Sequence, residues 1–224
     1  MVSAIIVAAG RGTRMGANIN KVFLKLLDKE IILHTVDAFE KNKNVDEIII
    51  VTGMSECELV KELIGADTKC THIVPGGSTR QKSVYNGLMH TKGDIVLIHD
   101  GARALISQAE IDNVIADCKK YGAAAVGVPC KDTLKAVDDR GFILGTVDRS
   151  RTYQIQTPQA FLYDTILSAH KRAAADGTDA TDDCALLERY GVKIKITKGR
   201  YDNIKITTPE DIEIAKNILN KGIK

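Results

Sequence analysis

Residues 4–7, Ala-Ile-Ile-Val, form an unbroken apolar run that ends in Ala8-Ala9-Gly10-Arg11-Gly12-Thr13-Arg14, with Lys21 shortly after. A β-branched run without polar alternation predicts a strand buried on both faces, and such strands belong to parallel sheets covered by helices on each side. Similar runs recur at residues 48–51, 95–98 and 123–128, with a short one at 72–74 that ends in Pro75-Gly76-Gly77. Apolar residues at helical spacing occupy 31–41. Ser55 with Glu58, Ser78 with Gln81 and Ser107 with Glu110 are capping-box pairs, predicting helices that reach about residues 64, 90 and 121. Further on, a helix follows Phe161, another covers 181–189 before Gly191, a strand covers 192–197, and Thr208-Pro209 opens a last helix as N-cap and N1 residues. This βαβα rhythm predicts one domain over residues 1–224, built as an open, doubly wound, mostly parallel twisted sheet.

The rhythm breaks at Pro129. The stretch of about 131–156 has no helical period, and 133–137 and 142–146 read as two strands around the turn Asp138-Asp139-Arg140-Gly141. An isolated hairpin is marginal in water. This inserted arm is therefore expected to dock on something, and a second subunit is a good candidate.

The glycine-rich turn after the first strand suits a polyphosphate, because small residues admit backbone N–H groups and the arginines and lysine supply charge. It is neither of the two commoner phosphate loops. No Gly-x-x-x-x-Gly-Lys-Ser/Thr is present. After Gly10 and Gly12 the third glycine of a dinucleotide fingerprint is displaced to Gly16, and the second strand ends in Val51-Thr52-Gly53 without the acid a ribose needs. In a doubly wound sheet, ligands sit outside the carboxyl ends of the strands. The polar residues fall there: Gly76, Gly77, Ser78, Arg80 and Ser83 after one strand, His99-Asp100-Gly101-Ala102-Arg103 after another, and Asp202-Asn203-Ile204-Lys205 late in the chain. Several cations, one strand-end carboxylate and glycine-lined backbone fit a nucleoside triphosphate with a divalent ion. His99 reads as a packed or hydrogen-bonded strand-end residue rather than an acid–base group.

Composition narrows the field. A formal net charge of +2 gives no global pull toward nucleic acid or membrane, so any basic site must be local. The chain has no Trp and few aromatics, which disfavours base-stacking surfaces. Cysteines 57, 70, 118, 130 and 184 are odd in number and lack a Cys-x-x-Cys pair, so reduced, mostly buried thiols are expected rather than zinc or disulfides. The first nine residues lack a basic n-region, and Arg11 comes too early for a signal peptide or spanning helix.

Taken together, these residues resemble the 2-C-methyl-D-erythritol 4-phosphate cytidylyltransferases, within the wider sugar-nucleotidyltransferase superfamily. The likeness covers essentially the whole chain. It rests on Ala8-Ala9-Gly10-x-Gly12-x-Arg14-Met15, Lys21, Gly76-Gly77-x-x-Arg80-x-x-Ser83-Val84 and His99-Asp100-Gly101-Ala102-Arg103. It continues through Asp132-Thr133-x-Lys135, Thr146-Val147-Asp148-Arg149, Gln156-Thr157-Pro158-Gln159, Thr181-Asp182-Asp183 and Asp202-Asn203-Ile204-Lys205. The first motif is shared across the superfamily, whereas the arm motif is much more specific. Asn20 stands where the family usually has Pro, Val22 where Gln is usual, and Ala104 where a Pro is common; none of these removes a charged group.

The resemblance implies a Rossmann-like nucleotidyltransferase that moves CMP from CTP to the phosphate of methylerythritol phosphate, releasing pyrophosphate. It implies that Ala8, Ala9, Gly77, Ser78 and Ser83 read cytosine and that Gly101 lies against the ribose. Gly10, Arg14, Lys21 and Lys205 would hold the triphosphate, with Arg14, Lys21 and Lys205 as the catalytic cations. Asp100, Arg103, Thr157 and Lys205 would hold methylerythritol phosphate, joined by Thr133 and Arg149 of the partner subunit; Thr181 is a further site residue. A homodimer through the arm, Mg²⁺ carried mainly on the CTP phosphates, a cytoplasmic location, and no nucleic-acid or membrane partner complete the expectation. A phosphate monoester is already nucleophilic at neutral pH, so catalysis is expected to be positioning and electrostatic stabilisation without a general base. A ribitol-5-phosphate cytidylyltransferase of the same build and a non-catalytic nucleotide-binding module are the alternatives.

Overall fold

The computed structural model describes residues 1–10 and 20–222. In chain order the elements are β1 (Val2–Val7), a 3₁₀ turn (Lys21–Phe23), the short pair β2 (Lys25–Leu26) and β3 (Lys29–Glu30), α1 (Ile31–Glu40), β4 (Glu47–Thr52) and a second 3₁₀ turn (Met54–Glu56). Next come α2 (Cys57–Ile64), β5 (Cys70–Pro75), α3 (Arg80–Leu88), β6 (Ile95–Asp100), α4 (Gln108–Tyr121) and β7 (Ala123–Pro129). The arm contributes β8 (Lys135–Val137), β9 (Ile143–Thr146) and a 3₁₀ turn (Arg149–Arg151). The chain ends with β10 (Tyr153–Leu162), α5 (Tyr163–Ala175), α6 (Asp183–Arg189), β11 (Lys195–Lys198) and α7 (Pro209–Asn220).

Seven strands form one sheet in the order β11-β7-β10-β6-β1-β4-β5. Every neighbouring pair is parallel except those made by β10, which runs antiparallel to both β6 and β7. The expected mostly parallel sheet is therefore present. Alternate residues of each apolar run feed opposite layers. Ala4, Ile6, Ile48, Ile50 and Leu97 pack with Ile32, Val36 and Phe39 of α1 and Ile111, Val114 and Ile115 of α4. Ile5, Ile49, Val51, Val96 and Ile98 pack on the other face with Val84 and Leu88 of α3 and Ile166 and Ala169 of α5. A third cluster lays α7 against Leu26, Ile31 and Ile206. The registers Val7↔Val51 and Val7↔Asp100 bring the carboxyl ends of β1, β4 and β6 to one edge.

Local chemistry explains where elements begin. Ser107 and Glu110 form the expected capping box, and Gly122 ends α4 in the left-handed region with φ of 85°, where only glycine sits without cost. Thr208 caps α7 with Pro209 at its first position. Two caps differ from expectation. Thr79 rather than Ser78 accepts from the Lys82 N–H, so α3 starts one residue later and Ser78 stays in the loop. Before α2, Ser55 lies inside a 3₁₀ turn, and the Glu56 carboxylate folds back to accept from the Gly53 N–H. The late strand is Lys195–Lys198, shorter and later than 192–197, and α6 begins at Asp183 behind its cap, Asp182.

The arm is a two-stranded hairpin joined at Asp138, whose carboxylate accepts from the Arg140 and Phe142 N–H groups. It ends earlier than the expected 156, because β10 pairs with β7 from Tyr153 onward. Apolar periodicity did not predict β10, since Gln154, Gln156, Gln159 and Pro158 interrupt it. Ahead of its ladder with β6, which begins at Gln159, polar contacts hold it there. The Thr157 hydroxyl accepts from the Asp100 N–H at 3.0 Å and lies 3.0 Å from His99 Nδ1, while His99 Nε2 lies 3.2 Å from the Arg103 carbonyl. A neutral imidazole protonated at Nε2 satisfies this chain throughout, donating to the carbonyl and accepting from the hydroxyl.

Burial disfavours the charged imidazole more than the nearby hydrogen bonds and Asp100 favour it, so the His99 pKa falls from 6.5 to about 4. The unfolded chain takes up that proton below its ordinary pKa, and the folded chain resists until about 4. This group's contribution is thus fully present above the unfolded value and is lost as pH falls. Urea unfolding at pH 7 and 4.5 should show the native chain losing roughly 2–3 kcal/mol more than His99→Gln across that interval. Equal losses would mean that His99 does not titrate as its burial requires.

Candidate active site

A cavity of about 640 Å³ opens at the carboxyl edge of the sheet. Its floor is Val7, Ala8, Ala9 and Gly10, where β1 stops. One wall is the loop from β5 into α3, with Gly77, Ser78, Thr79, Arg80 and Ser83. Asp100 and Ala102 follow β6, and Asn20, Lys21, Val22, Lys205 and Thr207 complete the lining. The sheet thus brings together residues far apart in sequence, as the topology expects of strand ends.

The β5–α3 loop is compact for steric reasons. A Cβ on Gly76 would stand 2.4 Å from the Ala9 Cβ, and one on Gly77 would stand 2.4 Å from the Lys82 Cβ. Ser83 braces the turn: its hydroxyl accepts from the Gly77 N–H at 3.1 Å and donates to the Thr79 carbonyl at 2.9 Å. Ala8 is held in a similar way, its N–H donating to the Val51 carbonyl and its carbonyl accepting from Asn20. The polar groups of Ala8 and the Gly77 N–H are thus committed within the chain, and Ala8 itself is buried.

Asp100 is the electrostatic centre. Lys205 Nζ lies 2.9 Å from its Oδ2, Arg103 Nε 3.6 Å from the same oxygen, and Arg80 Nε 3.6 Å from Oδ1. Burial by itself would raise the Asp100 pKa. Lys205, Arg80 and Arg103 together outweigh burial and hold the carboxyl well below the usual carboxylate range. Arg80 also donates from Nη1 to Asp183 Oδ2 at 2.7 Å, and the two carboxylates raise its pKa against the opposing effect of burial. Burial likewise works to raise the Asp183 pKa, but Arg80 and His170 bring it down. Burial lowers the Arg103 pKa, with Asp100 opposing, and Arg103 Nη1 donates to the Asn203 carbonyl at 2.8 Å. Lys205 lies in a segment held on both sides: Asn203 Nδ2 donates to the Thr157 carbonyl before it, and the Ile206 N–H donates to the Ala102 carbonyl after it.

The expected site residues are distributed unevenly around this cavity. Ala8, Ala9, Gly10, Lys21, Gly77, Ser78, Ser83, Asp100 and Lys205 all line it. Gly101 and Thr157 are buried just behind the wall, and Arg103 reaches the Asp100 carboxylate from the side. Thr181 is exposed on the 178–183 stretch that Gln81 and Thr79 of the α3 start tie down through Thr178, Ala180 and Asp179. Thr133 and Arg149 are exposed on the arm, where Arg149 donates to the Lys131 carbonyl. Arg14 lies outside the described residues. Sequence reasoning missed Asp183 as the second anchor of Arg80. The signal was Asp182-Asp183 before an apolar helix, since one acid caps the helix and the other must find a cation.

The comparisons with known proteins agree on one family. The model of the 2-C-methyl-D-erythritol 4-phosphate cytidylyltransferase family (IspD) matches residues 2–221. The chain is 46% identical over 225 residues to the protein of that name from Desulforamulus reducens, covering 98% of this chain and 96% of the relative. It is also 46% identical to the one from Caldanaerobacter subterraneus subsp. tengcongensis, covering 98% of this chain and 99% of that one. Among solved structures, the 4-diphosphocytidyl-2C-methyl-D-erythritol synthase of Anaerococcus prevotii superposes with a TM-score of 0.89 at 32% identity, covering 98% of this chain and 96% of that one. The 2-C-methyl-D-erythritol 4-phosphate cytidylyltransferase of Thermus thermophilus superposes with a TM-score of 0.78 at 26% identity, covering 96% and 98%. With the polyphosphate-sized cavity and its cations in place, the chain belongs to the 2-C-methyl-D-erythritol 4-phosphate cytidylyltransferase family.

Proposed function

We propose that the cavity binds CTP with its triphosphate toward Lys21 and Lys205, and binds 2-C-methyl-D-erythritol 4-phosphate beside Asp100. The reaction is transfer of CMP from CTP to that phosphate, the step of non-mevalonate isoprenoid synthesis that yields 4-diphosphocytidyl-2-C-methyl-D-erythritol. A phosphate oxygen of the acceptor attacks the α-phosphorus, and the bond from that phosphorus to the bridging oxygen breaks. Pyrophosphate leaves with the electron pair. The observation that carries this reading is the Asp100 cluster on the cavity wall: three cations surround one carboxylate that is held ionised. Lys205 can meet phosphate oxygens while the carboxylate accepts hydrogen bonds from polyol hydroxyls. Two anions must approach each other here, and preorganised cations offset that repulsion.

Of the described residues lining the cavity, Asp100 is the one carboxylate, and among the described residues no group of three or more His, Cys, Asp or Glu side chains gathers to hold a metal. This donor set would suit Mg²⁺ carried mainly on the triphosphate oxygens, with Asp100 the carboxylate the described lining offers it. When bound, the ion would supply charge neutralisation for the leaving pyrophosphate, while the chain orients both substrates. Among the described residues no helix is long and apolar enough to cross a membrane. A cytoplasmic location, where CTP is made, suits the reading.

The arm supports a homodimer. Phe142, Ile143 and Leu144 are 65%, 64% and 69% exposed on a hairpin with no sheet beneath it. A second copy of the chain would cover them and bring Thr133 and Arg149 of the partner subunit to each cavity.

Pyrophosphate release with CTP and methylerythritol phosphate tests the site. Single alanine replacements of Arg14, Lys21 and Lys205 should each lower turnover on the order of 10²–10³, as loss of an oxyanion-hole donor does. Unchanged turnover in all three would refute the cation reading, and turnover with ribitol 5-phosphate alone would replace the acceptor. For the arm, sedimentation should show a dimer that Phe142→Asp with Leu144→Asp converts to a less active monomer. A native chain that sediments as a monomer would overturn the dimer.

A further inference from the structure

Two segments that line the cavity, and a third that follows β4, meet at one buried amide. Asn20 is 8% exposed and directly precedes Lys21. Its Nδ2 donates to the Ala8 carbonyl at 2.7 Å and to Glu56 Oε2 at 3.2 Å, and its Oδ1 accepts from the Val22 N–H. The orientation of the amide is fixed by chemistry. Reversed, its oxygen would face a carbonyl and a carboxylate, both acceptors, and its NH₂ would face an N–H. Glu56 is itself anchored, because the same Oε2 accepts from the Thr52 hydroxyl and the Gly53 N–H, each at 2.8 Å. The Asn20 carbonyl then accepts from the Phe23 N–H and opens the turn that carries Lys21.

We infer that Asn20, backed by Glu56, is the positioning residue for Lys21. The Asn20 backbone, with φ of −59° and ψ of 126°, is extended, and nothing intrinsic to an asparagine keeps it there. The side chain supplies the restraint that the backbone lacks. It ties the residue before Lys21 to the end of β1, and Glu56 ties the same amide to the end of β4. The start of the lysine turn is thereby referred to two neighbouring buried strands of the sheet, β1 and β4. A catalytic cation has to be held to a fraction of an ångström, and a misplacement of about 1 Å can cost on the order of 10²-fold in rate. The inference rests on Lys21 acting on the triphosphate.

A double-mutant cycle read by pyrophosphate release tests it. Asn20→Ala should lower kcat about tenfold to 10²-fold, with the KM for methylerythritol phosphate changed less than about twofold. In the Lys21→Ala background the same substitution should cost less than about twofold, because the group it positions is gone. In the Lys205→Ala background it should keep its full cost. Asn20→Asp, equal in shape but offering an acceptor to Ala8 and Glu56, should lower kcat at least as far as Asn20→Ala. Thermal unfolding separates a merely structural role, since any stability loss from Asn20→Ala should be the same in all three backgrounds. A cost undiminished in the Lys21→Ala background, or no cost in the native one, overturns the inference while leaving the function intact. If Lys21→Ala itself retains full turnover, the assignment of Lys21 fails instead.

Discussion

The site depends on one buried carboxylate being kept ionised. Asp100 is 7% exposed, a position that favours its neutral form, and it stays charged because Lys205, Arg103 and Arg80 approach it from three separate segments. The dependence is mutual. Arg103 and Arg80 are themselves largely buried, and neither would be tolerable there without an acid beside it. Removing one member of a buried pair costs about 3–5 kcal/mol, chiefly because the remaining charge is stranded. The cluster is thus a structural fastener between β6, α3 and the 203–207 segment as well as a source of charge for the cavity. Asp183 extends it to α6 by sharing Arg80.

The antiparallel strand serves the same centre from behind. A wholly parallel sheet would need another crossover to place a strand next to β6. Instead β10 returns directly from the arm, and its Thr157 inserts a hydroxyl between the Asp100 N–H and His99. The backbone of Asp100 is fixed by the same residue whose carbonyl holds Asn203. One strand therefore determines the height of the carboxylate and the path of the segment bearing Lys205. It also joins the arm to the residues behind the cavity wall.

The parallel strands β1, β4, β6 and β7 were legible because each holds a run of apolar residues with no alternative use. Residues 48–51 and 95–98 have nowhere to go but between two helical layers. β10 was not legible, because polar residues fill its middle: Gln156, Thr157 and Gln159 are all buried, periodicity counts them as loop, and only Ala160 and Phe161 after them are apolar core. The shifted caps have a related cause. Ser78 and Thr79 are chemically equal as caps, and the tight Gly76-Gly77 turn decides between them. The cations of the site were visible as types at strand ends. Their partners were not, since Arg80 with Asp183 and Asn20 with Glu56 are pairs 103 and 36 residues apart that only the folded sheet creates.

A net charge of +2 would seem a poor start for a protein that must gather two polyanions, yet the fold makes the global value irrelevant. Charges more than a Debye length apart, about 8 Å at physiological salt, scarcely act on one another through solvent. What matters is how many cations lie within a few ångströms of the phosphates, and in how poor a solvent. Among the described residues, Arg80, Arg103 and Lys205 face only Asp100 and Asp183 in ion pairs, so the cluster keeps a positive excess before Lys21 is added from the neighbouring wall. Partial burial strengthens each of these charges by lowering the local dielectric. The acids that bring the chain close to neutrality do not cancel the excess: those such as Asp94 and Glu213 are exposed in surface pairs of their own. The anion-binding character of the site is therefore a property of packing, obtained by burying a few cations around fewer acids.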